Sequence, residues 1–172
     1  MSEISFRTDV LPLKNELFRL ALRITQNRHD AEDMVQETML RVWSRREQWQ
    51  EIESIEAFCL TICRNLALDK QKRKDRQAST SLDSEHDRPD RSYTSDPEEQ
   101  TVQRDRLQMV RRLINTLPEK QRTCIQLRDV EGKAYKDIAT VMGITEQQVK
   151  VNIFRARQTI KKKFTENEKY GL

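Results

Sequence analysis

Residues 135–157 read YKDIATVMGITEQQVKVNIFRAR, and this stretch decides the fold. Tyr135, Ile138, Ala139 and Met142 recur at helical spacing, and Gly143 stops the short helix they form. Thr145 to Gln148 matches the capping box S/T-x-x-E/Q, which opens a second helix. Its core stripe is Val149, Ile153, Ala156, Ile160 and Phe164. A short helix, a glycine turn and a capped, cation-rich helix are the parts of a helix-turn-helix. Ile138, Ala139, Val149 and Ile153 can lock the pair, with small Ala139 allowing close approach. The capped end of the second helix can then enter a DNA major groove.

Lys150, Phe154, Arg157 and Lys161 fall at i, i+4, i+7 and i+11, on the face opposite the core stripe. Gln147 and Gln148 stand in the first turn, where base-edge contacts are made, and Val151 and Arg155 complete the candidate reading surface. Glutamine pairs with adenine, lysine with guanine, and arginines hold phosphates. Phe154 is either a misphased core residue or an apolar contact to a thymine methyl or sugar.

Upstream, Leu107, Val110, Ile114 and Leu117 form another helical stripe. Pro118 starts a further helix carrying Cys124, Ile125, Leu127 and Val130, and Glu131-Gly132-Lys133 turns the chain. Before that, from about Ala78 to Gln100, the character changes. Asp83 to Glu99 holds seven acids against Arg88 and Arg91, with Pro89 and Pro97 among them. Leu82 and Tyr93 are its only large apolar residues, too few to offset the entropy of ordering it. The segment reads as a flexible acidic linker.

The N-terminal part repeats the helical theme. Leu13, Leu17, Leu20, Ala21 and Ile24 give a first helix; Asp30 is positioned to cap a second, with Val35, Met39 and Val42 buried. Gln48 to Glu53 reads as a loop. Ser54 caps a long third helix with apolar face Ile55, Phe58, Cys59, Ile62 and Leu66. The expected class is all-α. Two small helical domains, 1–77 and 104–172, flank a linker at 78–103.

Over the 172 residues, hydrophobic and charged types each make up 35%, which suits two thin helical cores better than one large one. Three glycines and four prolines argue against an all-β fold. The net charge is only +4 but is unevenly placed. Six basic residues lie between Arg64 and Arg76, and six more between Lys150 and Lys163. Two cationic patches flanking an anionic segment fit two contacts with a polyanion. No apolar run approaches a membrane span, and the polar N-terminus lacks a signal core, so no membrane insertion is expected. Three cysteines do not make a disulfide framework, which points to a reducing cytoplasm. Cys59 and Cys63 lie at i, i+4, half of a zinc or redox site, but His29, His86 and Cys124 are scattered, so no metal or other cofactor is expected. Neither histidine sits in a nucleophile–base arrangement and no phosphate-cradling glycine loop occurs, so the chain is not expected to be an enzyme.

Leu117-Pro118-Glu119-Lys120-Gln121-Arg122, Glu131 through Ala139, and Val149-Lys150 through Arg157 resemble the fourth conserved region of bacterial RNA polymerase sigma factors. Leu17 through Ala21, Asp30 through Glu37, and Arg64 through Asp69 resemble the second region in the extracytoplasmic-function (ECF) group. The resemblance covers nearly the whole chain except the linker. It implies a factor that binds core RNA polymerase and directs promoter-specific transcription initiation in response to an envelope or environmental signal. Asp33, Gln36, Glu37 and Leu40, at i, i+3, i+4 and i+7, would dock on a coiled coil of the polymerase's largest subunit. Arg41 extends that surface, and Trp43 either joins it or belongs to the core. The fourth region would meet the polymerase flap.

The third helix and the loop before it would open DNA and read the minus-ten element. Its candidates are Trp49, the loop from Gln50 to Ser54, Asn65, Lys70, Arg73 and Arg76. A base held out of the stack needs aromatic contacts and a cationic track. The helix-turn-helix would read the minus-thirty-five element of the promoter. An anti-sigma factor is a further partner of such proteins, although no residue here identifies one. Two positions depart from the pattern. Ala134 stands where Ser or Thr usually caps the first motif helix, and Val151-Asn152 replace a Ser-Arg-type pair, removing a cation. The competing readings are a stand-alone helix-turn-helix regulator acting as a dimer, and a metal or redox sensor built on Cys59 and Cys63.

Overall fold

The computed structural model describes residues 3–80 and 102–169, and every regular element among them is helical. Short turns at Phe6–Val10 and Leu11–Leu13 lead into α1, Lys14–Thr25, which buries Leu17, Leu20, Ala21 and Ile24. The helix closes on Gln26 in the left-handed region at φ 53, a conformation that few side chains adopt cheaply. The Gln26 Nε2 donates to the Asn115 carbonyl at 3.3 Å, a partial compensation.

The cap of α2, Arg28–Ser44, is Asn27, not Asp30. Asn27 Oδ1 accepts from the Asp30 amide at 2.9 Å. The Asp30 carboxylate is buried one turn inside and ion-paired to Lys74, so it cannot also serve the helix end. Val35 and Val42 are buried as expected, joined by Ala31 and Thr38.

The stretch expected as a loop holds a 3-10 helix, Arg46–Glu51. Trp49 anchors it: the ring is 6% exposed, stacks on Phe6 at 6.5 Å, and its Nε1 donates to the Val42 carbonyl at 3.1 Å. Ser54 Oγ then accepts from the Ala57 amide at 3.2 Å and opens α3, Ile55–Thr80. The expected face of α3 is only half of what it buries. Cys59, Ile62 and Leu66 are covered, and so are Ala57, Leu60, Cys63 and Ala67. Helices α1 and α2 lie against one side, and α6, Tyr135–Met142, lies against another. The helix runs three residues into the stretch read as linker, whose residues 81–101 lie outside the described ones.

In the second half, α4 is Val102–Asn115 and α5 is Glu119–Ile125, with Pro118 one residue before the first helical position. A wide π turn, Gln126–Val130, reaches Gly132 at φ 70, where a glycine reverses the chain without strain. Gly143 does the same at φ 66 between α6 and α7, Glu146–Lys169. Helices α4, α5 and α6 all pack on α7.

Composition suggests two separate thin cores, and here the structure differs. Leu17, Leu60 and Cys63 from the first half share one continuous apolar cluster with Cys124, Leu127 and Ile138 from the second. A smaller cluster of Ile114, Leu117, Ile125 and Ala156 lies behind it. Polar pairs seal the seam. Lys133 Nζ sits 2.7 Å from Glu16 and 2.8 Å from Glu56. Arg64 forks onto Glu119 with two 3.0 Å bonds, and Arg19 forks onto Glu131 at 2.5 and 2.7 Å. Arg23 Nε donates to Gln126 Oε1 at 2.9 Å, and Lys136 meets Glu53 at 2.7 Å. Every one of these pairs joins one half of the chain to the other.

Candidate nucleic-acid interface

The reading helix α7 is held by the sequence just ahead of it. Thr145 Oγ1 accepts from the Gln148 amide at 3.1 Å, while Gln148 Oε1 accepts from the Thr145 amide at 2.9 Å. Both halves of the capping box are therefore made, which fixes the first turn and its amide dipoles. Val149, Ile153 and Ala156 are buried against the neighbouring helices, and Ile138 beneath them is fully covered. The opposite face is open: Gln147, Lys150, Val151, Phe154, Arg155 and Arg157 are all exposed.

Phe154 is 61% exposed and Val151 38%, so neither belongs to the core. With Gln147 at i−4 from Val151, they make a small apolar strip beside one amide. Three of the expected readers are already engaged. Gln148 is spent on the cap. Arg157 forks onto Asp129 at 3.0 and 2.5 Å. The Lys150 ammonium stands 5.4 Å from the centre of the Tyr135 ring, which also carries the Arg128 guanidinium at 4.1 Å. The exposed ion pair is weak in water, so Arg157 can exchange Asp129 for a phosphate at small cost. Asp129 escapes sequence reading because its partner lies on another helix.

A second cationic surface runs along α3. Asn65, Lys70, Arg73 and Arg76 fall within about 140° of arc on the helix, with Asn65, Arg73 and Arg76 exposed and Lys70 half-buried. Trp49 is not part of this surface. It is locked in the first-half core by its hydrogen bond to Val42 and by Phe6, so the expectation that it holds a base is corrected. An indole ring buries far more stably in a small core than on a loop tip.

A third surface lies on α2. Asp33 and Gln36 are exposed, Glu37 half-buried, and Leu40 66% exposed. Arg41 Nε reaches Glu37 at 3.1 Å. Trp43, 48% exposed, stands one turn beyond Leu40, edge-on to Phe6 and under the Arg46 guanidinium. Two large apolar side chains rimmed by charges are the usual make-up of a protein-docking patch.

The three cysteines are buried. Burial pushes the Cys59 and Cys63 thiols up to about 12 and Cys124 up to about 11. Cys63 also donates to the Leu17 carbonyl at 3.5 Å. Thiols so far from their thiolate form are poor nucleophiles and poor metal ligands. Among the described residues no group of three or more His, Cys, Asp or Glu is placed to hold a metal. No described helix is long and apolar enough to cross a membrane.

At the seam, burial opposes the Glu119 charge, but hydrogen bonds from Arg64 and Thr123 outweigh it and hold its pKa below the usual carboxylate value. Burial raises Glu16, and the Lys133 ammonium only partly counters that. Desolvation lowers Lys133, and the hydrogen bonds it donates to Glu16 and Glu56 more than restore it. The pairs Arg64–Glu119, Lys133–Glu16 and Lys133–Glu56 are not legible in sequence, because the partners lie far apart along the chain.

Comparison with known proteins gives two family matches. Sigma-70 region 2 matches residues 10–77, and Sigma-70, region 4 matches residues 107–160. The ECF RNA polymerase sigma factor SigE of Mycolicibacterium smegmatis is 32% identical over 149 residues, 86% of this chain. The chain spans 56% of that relative's length. The ECF RNA polymerase sigma factor SigL of Mycobacterium tuberculosis is 30% identical over 146 residues, 84% of this chain and 80% of SigL. In fold, the chain resembles the sigma factor RpoE of Bartonella quintana in its complex with the anti-sigma factor NepR. The TM-score is 0.71 at 24% identity, covering 91% of this chain and 94% of that one.

Proposed function

Because this chain belongs to the extracytoplasmic-function group of RNA polymerase sigma factors, we propose that it binds core RNA polymerase and directs promoter-specific, DNA-templated transcription initiation. One observation carries the reading. A charged patch with exposed Leu40 and Trp43 on α2, fit for a protein partner, shares the chain with a capped, cationic reading helix, fit for DNA. A stand-alone regulator is not favoured, since it leaves the α2 patch and the whole region 2 match without a role.

Asp33, Gln36, Glu37, Leu40 and Arg41 are the polymerase-docking residues in this proposal, with the largest subunit's coiled coil as target. The second half meets the flap. The cationic side of α3, with Asn65, Lys70, Arg73 and Arg76, tracks the strand opened at the minus-ten element, where charge neutralisation favours single-stranded DNA. The first turns of α7 read the minus-thirty-five element. There Gln147 is the free amide for adenine, Val151 and Phe154 meet thymine methyls, and Lys150, Arg155 and Arg157 hold phosphates. Gln148 contributes by fixing the turn. The chain performs no chemistry itself and works in the cytoplasm, where polymerase acts. An anti-sigma factor that covers the docking surfaces is the expected restraint, as NepR is the partner of RpoE in the related complex.

The test is run-off transcription with the host's core polymerase, with and without the protein, on a library of host promoters. Specific new transcripts, abolished by Gln36→Ala with Glu37→Ala, are expected. Tight duplex binding by the protein alone, with no transcripts, would establish the stand-alone regulator instead.

A further inference from the structure

Between Glu146 and Phe154 the reading helix carries a single cation, Lys150. Asn152, two residues on, donates its Nδ2 to the Gln148 carbonyl at 2.8 Å and so turns back on its own helix. The charge that the first turns of α7 offer to a phosphate therefore rests on one ammonium at the end of a flexible four-carbon stem. Ordering such a stem on binding costs rotamer entropy.

A different element supplies a partner for it. Tyr135, the first residue of α6, is half-buried and packs against the shared apolar cluster. The Arg128 guanidinium, from the π turn, lies 4.1 Å from the centre of its ring, and Arg128 Nη1 donates to the Lys133 carbonyl at 2.8 Å. The ring is thus fixed both by the core and by a guanidinium that is itself tied to backbone. The Lys150 ammonium stands 5.4 Å from the same ring centre, within the reach of a cation–π attraction.

This surface holds its cations in two ways that differ in consequence. Asp129 holds Arg157 with an opposite charge, so Arg157 must leave its partner before it meets a phosphate. A neutral ring attracts an ammonium through its quadrupole and leaves the full charge in place for DNA. Resting on the reading of α7 as the minus-thirty-five reader, we infer that Tyr135 is a positioning residue for that reader. Its ring, braced by Arg128, holds Lys150 over the first turns of α7 without neutralising it. Lys150 then meets the phosphate with its stem already ordered, and that preorganisation raises affinity. Tyr135 acts through Lys150 and needs no contact of its own with DNA.

The test is fluorescence anisotropy of the assembled holoenzyme on a promoter duplex taken from the run-off screen. Tyr135→Phe keeps the ring and should bind within about twofold of the unsubstituted chain, while Tyr135→Leu should bind about three- to tenfold more weakly. Lys150→Met should weaken binding in the unsubstituted chain and much less in the Tyr135→Leu chain, because the two changes remove one interaction. Equal costs of Lys150→Met in both chains, or a Tyr135→Phe chain as weak as Tyr135→Leu, would overturn the inference.

A second series guards against misfolding of the leucine variant. Phenylalanine carrying one, three and then five fluorines at position 135 keeps the ring's shape and apolar character while draining its negative face. Promoter affinity should fall stepwise along the series, with the urea midpoint of the chain unchanged. Affinity indifferent to fluorination would show that Tyr135 serves packing alone. If no promoter emerges from the run-off screen, the sigma-factor reading fails on that result. The same variants of the free chain on random-sequence duplex then decide whether the ring holds Lys150 for DNA.

Discussion

At the scale of single residues, position in the fold decides what a charge does. Arg64 and Glu119 are mostly buried, with side chains 11% and 24% exposed, while Lys136 and Glu53 are 67% and 81% exposed. The first pair makes two hydrogen bonds out of water, and the second is screened by it. Glu119→Gln should therefore destabilise the chain by about 1.5–3 kcal/mol at pH 7, the usual range for hydrogen bonds to a charged group. Lys136→Gln should be nearly silent. The folded-state pKa of Glu119 lies below its ordinary value of 4.5, so its contribution is fully present above that value. It is lost as pH falls through the folded pKa. Urea unfolding of the Glu119→Gln and unsubstituted chains should accordingly differ at pH 7 and converge as pH falls through the lowered folded-state pKa. A gap that persists in acid would mean the pair acts by shape and not by charge. Sequence identifies all four residues as charged, but burial separates them, and burial is a tertiary property.

At the scale of elements, local chemistry is the better guide. The Thr145–Gln148 box, Gly143 and Ser54 each sit where their side chains or backbone freedom require, and all are read from a few neighbouring residues. Thr145→Ala should cost about 0.5–2 kcal/mol, the usual loss for a helix cap. The start of α6 gives the opposite case. Ala134 occupies the cap with extended backbone, φ −68 and ψ 148, and makes no side-chain bond. Ala134→Ser should stabilise by about 0.5–1 kcal/mol, read as a higher denaturant midpoint with unchanged slope. Where elements are misread, a distant partner is responsible. Asp30 loses the cap of α2 because Lys74 of α3 holds its carboxylate. The Trp49 stretch is helical because its indole is packed on Phe6 and bonded to Val42.

For the whole molecule, the shared apolar cluster predicts cooperative behaviour. Calorimetry of the unsubstituted chain should show one transition, since Leu60, Cys63, Leu127 and Ile138 belong to one apolar cluster drawn from both halves. Lys133→Glu, by parting the halves, should split it into two. Two transitions in the unsubstituted chain would mean that the halves are independent and the seam weak. The all-helical class and the helix-turn-helix were legible from periodicity, caps and glycines alone, because such signals act between residues within a turn or two of each other. Membership of the family followed from motifs of the same short range. The exposed surfaces on α2 and α7 were legible too, since a residue facing away from an apolar stripe needs no further partner to place it. The second buried side of α3, the pairing of Lys133 with Glu16 and Glu56, and the apolar cluster shared by the two halves were decided only by the tertiary structure. Those contacts join residues dozens of positions apart, and their strength comes from excluding water between two surfaces, a condition that no local pattern specifies.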